Sequence, residues 1–331
     1  MHIYHFWRSL VLKRDRTALL AAWLLLVMLA TLQVSCTSSG PQAVTVKLDN
    51  GALERYENFN SALIPARNVD VWLPDNYSDE QSYAVLYMHD GQMLFDSTTT
   101  WNKQEWGADE VLSELMAQNK IKPTILVGIW NTEFRHSEYF PQKPFSSLPT
   151  AYQDSLIERG RRSAEQALFK KEVCSDDYLE FITTELKPFI DERYPTLPDK
   201  ANTVIAGSSM GGLISMYALC EYPDVFGGAG CLSTHWIGIF DTLNNPIPAA
   251  FASYMDEQLP SPSEHKMYFD YGTETLDTYY EPYQMAIDSI LVAHGFGATN
   301  WITQKFPGAD HSERAWRSRL HLPLTFLLRK E

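Results

Sequence analysis

Cysteine is scarce in this chain, with four residues in 331 and no pair spaced C-x-x-C. That absence argues against a metal site built on cysteine ligands. Basic runs are also missing from the body of the chain. The formal charge is −14, and beyond residue 35 no Lys/Arg run exceeds a pair. Nucleic-acid binding needs a basic face, so nucleic acid is not expected as a partner. No internal repeat is present, and 17 glycines and 18 prolines are far too few for a collagen-like chain. Apolar residues are plentiful at 45%, enough to bury a sizeable core in one large domain or two small ones.

The first 35 residues stand apart. Arg8, Lys13, Arg14 and Arg16 precede an apolar run over 17–34, followed by "SCTSSGP". A basic region, an apolar run and small residues make an export signal. The run is also long enough for an uncleaved membrane anchor. The stretch "LQVSC" resembles the lipobox of bacterial lipoproteins, which implies lipidation at Cys36 and a mature chain beginning there. Residues 1–35 are therefore read as a lipoprotein-type export signal and 36–42 as a tether, leaving 43–331 as the folded domain. The expected location is the bacterial cell envelope, periplasmic or surface-facing, with the membrane as partner through the lipid at Cys36. Export permits disulfides. Cys174, Cys220 and Cys231 leave one bridge with a spare thiol, or three free thiols, equally open.

Apolar segments at 43–48, 68–74, 83–88, 124–130, 202–207, 228–233, 266–272 and 300–306 alternate with helical patterns at 107–118, 176–193, 211–221, 279–294 and 311–329. The later strands are apolar on both faces, as in a buried parallel sheet. The alternation predicts an α/β fold with a mostly parallel central sheet of about eight strands and helices on both faces. Residues 131–172 show no period and hold Pro141, Pro144 and Pro149. Too long for a plain connection, this segment is expected to form a lid or pocket wall.

The stretch "TVIAGSSMGGLIS" offers two adjacent serines. Gly207 and Gly211 lie two before and two after Ser209, so G-x-S-x-G centres on Ser209 and not on Ser208. It follows a strand and opens a helix, the setting of a nucleophile elbow, where glycines at both places are expected to relieve steric crowding. A serine nucleophile needs a base. His311, in "FPGADHSERAW", follows the last predicted strand and opens the last helix, where the order Ser, acid, His places it. The acid should follow "KMYFDYG", where Asp277 and Glu274 are both available; Asp277 is favoured, and Asp270 is read as structural. The oxyanion needs two donors. The amide of Met210 supplies one and that of Gln92 the second, with Gly91 as the alternative, since Gly91 permits close approach to substrate. His89, Asp90, Trp106, His235 and Trp236 are expected to line the substrate pocket, and Trp101 and Trp130 to add aromatic surface near it.

The stretches "YAVLYMHDGQMLFD", "GSSMGGL", "FDYGTETLD" and "GADHSERAW" resemble the esterase branch of the α/β-hydrolase superfamily. That branch contains esterase D, feruloyl and acetylxylan esterases, enterochelin-type esterases and mycolyltransferases. The resemblance spans roughly 43–330. It implies an α/β-hydrolase fold, a Ser–acid–His triad falling on Ser209, Asp277 and His311, and no metal or organic cofactor. The expected activity is serine carboxylic-ester hydrolysis, with acyl esters of carbohydrates as leading substrates. Siderophore trilactones, acyl transfer and an inactive glycan-binding module are the alternatives.

Overall fold

The structure, a computed structural model, describes residues 43–330 apart from Asp49. The export signal, Cys36 and the tether lie outside the described residues, and Ala43–Glu331 forms one compact unit. Eleven strands are described: β1 (Ala43–Lys47), β2 (Ala52–Phe59), β3 (Arg67–Leu73), β4 (Ala84–His89), β5 (Thr124–Ile129), β6 (Arg161–Ser163), β7 (Gln166–Ala167), β8 (Thr203–Ser208), β9 (Gly228–Leu232), β10 (Lys266–Tyr271) and β11 (Trp301–Lys305). Nine of them form one sheet in the order β1-β2-β3-β5-β4-β8-β9-β10-β11. The pairs from β1 to β5 through β3 are antiparallel. From β5 to β11 every pair is parallel.

Strands β4, β5, β8 and β9 are buried along their whole length, whereas β11, expected to be buried on both faces, lies at the sheet edge and is only half-buried. Alternate residues of the buried strands feed two cores. Val85 and Tyr87 pack with the helix Met210–Glu221, whereas Leu86 and Met88 pack with the helix Ala108–Ala117. Two-sided burial explains why these strands carry no polar alternation.

Outside the segment 131–172, a strand and a helix escaped the sequence reading. In β2 only Leu53, Tyr56 and Phe59 are buried: Leu53 faces one core and Tyr56 the other, and the register shift between Tyr56 and Phe59 brings Phe59 onto the Tyr56 side. One change of face and one irregularity together hide the period of two. The helix Ile247–Gln258 buries Ile247, Phe251, Tyr254 and Met255, a helical spacing that was present in the sequence. One expected helix is divided. Residues 311–329 hold two helices, Glu313–Arg319 and His321–Leu327. Pro323 lacks the N–H that would bond the Arg319 carbonyl, and the first helix ends there.

The segment 131–172 folds into short helices at Arg135–Tyr139, Gln142–Ser147 and Thr150–Arg159, then the β6–β7 hairpin. Pro141 and Pro149 stand at the N-caps of the second and third helices, and the residues before them, Phe140 and Leu148, are extended, which ends the first and second helices.

Candidate active site

Ser209 sits between β8 and the helix Met210–Glu221 with φ 57° and ψ −120°. A non-glycine residue there is strained by about 1–3 kcal/mol, and persists only where its surroundings over-determine it. The surroundings do so here. The Ser209 amide donates to Leu232 O at 2.9 Å, and Ser209 O accepts from His235 N at 3.2 Å and Leu213 N at 3.1 Å. Gly207 is sterically required, since a Cβ there would lie 2.9 Å from the Gly211 carbonyl carbon. Gly211 is not required in the same way. Its Cβ would meet His89 Cβ at 3.4 Å and Asp90 Oδ2 at 3.5 Å, close to ordinary contact, so the expected symmetry of the two glycines does not hold. The helix beyond Ser209 aims its N-terminus at the serine and favours negative charge there.

His311 Nδ1 lies 2.5 Å from Asp277 Oδ1. Asp277 projects from the short turn Thr275–Tyr279 after β10 and is buried. Glu274 enters that same turn but is exposed, and the structure does not bring it to His311. The other Asp277 oxygen accepts from the Gly272 amide and from Ser233 Oγ, each at 2.6 Å. Burial works to raise the Asp277 pKa, but His311, Ser233 and Gly272 together hold it below the ordinary carboxylate value. Ser233 Oγ in turn accepts from Trp316 Nε1 and Arg319. Arg319 also bonds Asp270 through two nitrogens. Asp270 is thus a structural anchor joined to Asp277 through Ser233, whose amide donates to Asp270 and whose hydroxyl donates to Asp277.

Ser209 and His311 line one cavity of about 400 Å³, with Ser208, Asp90, Trp101, Trp106, Arg135 and Arg162 among its other walls. Trp101 is 79% exposed, while Trp106 is buried and stacks on Trp316 at 5.4 Å. Met210 directly follows Ser209, and Gly91 and Gln92 directly follow Asp90, so both stretches border the cavity. The expected reason for Gly91 is corrected. A Cβ at Gly91 would lie 2.6 Å from the backbone of Gly128 on β5, so the neighbouring strand demands that glycine rather than the substrate.

Four residues expected at the pocket lie elsewhere. His89 is buried against Tyr178, its Nδ1 2.8 Å from the phenol, and burial drives its pKa down to about 3. Trp236 is a core side chain whose indole donates to Gln284 Oε1 at 2.8 Å. Trp130 donates to Asp70 and sits under the Arg55 guanidinium. His235 is 1% exposed, outside the cavity walls, with Nδ1 2.8 Å from Tyr280 Oη. Desolvation holds His235 well below its usual pKa, so it is neutral. Cys174, Cys220 and Cys231 are all free thiols.

The sequence reading missed three side chains beside the serine. Tyr280 is buried, with its hydroxyl 2.8 Å from His235 Nδ1, and its ring meets His311 edge-on. It comes from the turn that carries Asp277, three residues on, a spacing that could have flagged it. Arg135 and Arg162 come from the segment without period, where no pattern marked them. Arg135 holds Asp90 through two bonds of 2.7 Å. Burial works to raise the Asp90 pKa, and Arg135 and Asn131 outweigh it, keeping Asp90 ionised.

With this geometry in place, a family profile described as "Putative esterase" matches residues 61–325. The chain is 29% identical over 172 residues to the uncharacterized protein YbbA of Bacillus subtilis (strain 168), covering 51% of this chain and 58% of that protein. It is 26% identical over 278 residues to an endo-1,4-beta-xylanase/feruloyl esterase of Xylanibacter ruminicola, covering 82% of this chain and 30% of that protein. The chain thus spans less than two thirds of the length of these curated relatives. A solved structure of a ferulic acid esterase shares the fold, with a TM-score of 0.57 at 18% identity over 87% of this chain and 98% of that one. The chain belongs to this esterase family of the α/β-hydrolase fold.

Proposed function

We propose that the protein is a serine carboxylic-ester hydrolase that works through an acyl-enzyme, with acyl esters of carbohydrates as its substrates. The observation that carries the reading is the 2.5 Å contact between His311 and buried Asp277, in a cavity that His311 shares with the strained Ser209. In this mechanism Ser209 Oγ attacks the ester carbonyl while His311 takes its proton. Ionised Asp277 fixes the imidazole tautomer and stabilises the imidazolium. The Met210 amide and the Gln92 amide, or that of Gly91, stabilise the oxyanion; each donor of this kind is worth about 3 kcal/mol. His311 then protonates the leaving alcohol, and water, activated by the same imidazole, releases the acid and restores Ser209.

The exposed face of Trp101 at the cavity mouth supports a sugar ring as part of the substrate, since a flat apolar surface with polar edges suits stacking. The proposal includes export, with Cys36 lipidated and the domain in the cell envelope. A panel of acetyl-sugar, feruloyl-sugar and trilactone esters, assayed with and without an alcohol acceptor, tests it. Turnover of the sugar esters with water as acceptor is expected. Exclusive turnover of trilactones, or product formed only with the alcohol, would replace the substrate class or the reaction.

A further inference from the structure

The cavity walls are not electrostatically uniform. The segment 131–172 contributes two guanidinium groups, Arg135 and Arg162, to the cavity that Ser209 lines. Arg135 is committed to Asp90, with both carboxylate oxygens engaged. Arg162, on β6, has no hydrogen-bond or ion-pair partner among the described residues and is exposed at the cavity rim. Asp90 is the one carboxylate felt by both arginines, and Arg135 already holds both of its oxygens. The other titratable neighbours leave Arg162 unpaired. His136 and His235 both feel the two guanidinium groups, and burial, first among the causes, keeps both imidazoles neutral. Glu313 lies among the cavity walls as well and brings their charges to two cations and two anions, but it bonds Asn102 at 2.7 Å and is felt by Arg135, so Arg162 keeps its donors free. A planar guanidinium with free donors beside a nucleophile matches a planar oxyanion.

Resting on the esterase reading above, we infer that the substrate carries a negatively charged oxyanion group, a carboxylate foremost, which Arg162 binds while Ser209 attacks the ester elsewhere in the same molecule. For a carbohydrate ester this means an acidic sugar or a dicarboxylic acyl group rather than a neutral one. The group serves as a handle that orients the scissile carbonyl, and the wall is prepared for it in the free protein. The strongly negative chain as a whole does not oppose this, because Debye screening limits charges beyond about 8 Å at physiological salt whereas Arg162 acts at contact.

Two matched pairs of esters test the inference and separate the two ends of the substrate. p-Nitrophenyl hemiglutarate against p-nitrophenyl pentanoate places the charge on the acyl side. 4-Acetoxybenzoate against 4-acetoxybenzamide places it on the alcohol side. In one of the pairs the wild type is expected to show a higher kcat/KM for the anion, by about tenfold for a charge-assisted contact. Arg162→Gln is expected to lower that anion-to-neutral ratio about tenfold, and Arg162→Lys to return most of it. Raising salt from 50 to 500 mM should erode the preference in the wild type but not in Arg162→Gln. No preference in either pair, or a ratio unchanged by Arg162→Gln, overturns this inference while leaving ester hydrolysis intact. No turnover of any of the four esters, with Ser209 unlabelled by a fluorophosphonate, overturns the esterase reading and this inference with it.

Discussion

Replacing Asp277 by Asn changes one oxygen into an amine, and the structure offers no orientation that accommodates it. With the amide oxygen kept toward His311, the new NH₂ faces Ser233 Oγ and the Gly272 N–H. Gly272 is a donor only. Ser233 Oγ already accepts from Trp316 and Arg319, so two buried donors are left without acceptors. Each such loss costs about 1–3 kcal/mol. With the amide turned over, its NH₂ faces His311 Nδ1 and forces the proton onto Nε2, and the ring can no longer take a proton from Ser209. Both orientations also remove the negative charge that stabilises the imidazolium. A comparable change in a serine triad lowers kcat by about 10⁴, equivalent to about 5.4 kcal/mol of transition-state stabilisation. The expected outcome for Asp277→Asn is therefore a kcat about 10⁴ lower and a melting temperature lower by roughly 4–10 °C. Ester hydrolysis rates and a thermal melt on the same preparation measure both. A folded variant within tenfold of wild-type kcat would refute the reasoning.

Gly207→Ala should damage both stability and activity, because its Cβ meets the Gly211 backbone at 2.9 Å, whereas Gly211→Ala should be mild with contacts at 3.4 Å and beyond; equal losses in melts and rates would contradict the steric account. Asp109 is buried, and desolvation followed by Glu110 raises its pKa to about 7. An unfolded Asp loses its proton near 4, so this site costs nothing below that pH, costs more as pH rises, and costs its full amount above 7, at most about 4 kcal/mol. Asp109→Asn should then stabilise the protein at pH 8 with a gain that fades toward pH 4, and a gain independent of pH in denaturant titrations would exclude this origin. Growth with labelled palmitate should mark the protein and Cys36→Ser should remain unmarked; label retained by the variant would remove the proposed anchor.

The elbow was legible because its cause is local: a strand, a tight turn and the glycine at 207 all sit within a few residues. The central strands were legible for a similar reason, since burial on both faces leaves an apolar run. The carboxylate that meets His311 was legible only to within two candidates. Which one turns inward depends on the turn Thr275–Tyr279, on the left-handed Thr275 at φ 55°, and on donors from Gly272 and Ser233. Those donors come partly from another strand's end, beyond any sequence window. The tryptophans misled for a physical reason. An indole suits a sugar platform and a core equally, and Trp236 and Trp130 found internal acceptors in Gln284 and Asp70. Arg135 and Arg162 could not be read from the sequence because the segment that bears them is broken by prolines into pieces too short to show a period.

The central claim is that Ser209, and not its neighbour Ser208, attacks the ester carbonyl. Both serines line the cavity, but only Ser209 has the strained backbone of the elbow and the helix N-terminus behind it. Labelling with a fluorophosphonate followed by peptide mass spectrometry reads the nucleophile directly. The expected result is a single adduct on Ser209, absent in Ser209→Ala, with kcat in that variant lower by roughly 10⁵ or more. An adduct on Ser208, or full ester turnover by Ser209→Ala, would contradict the account.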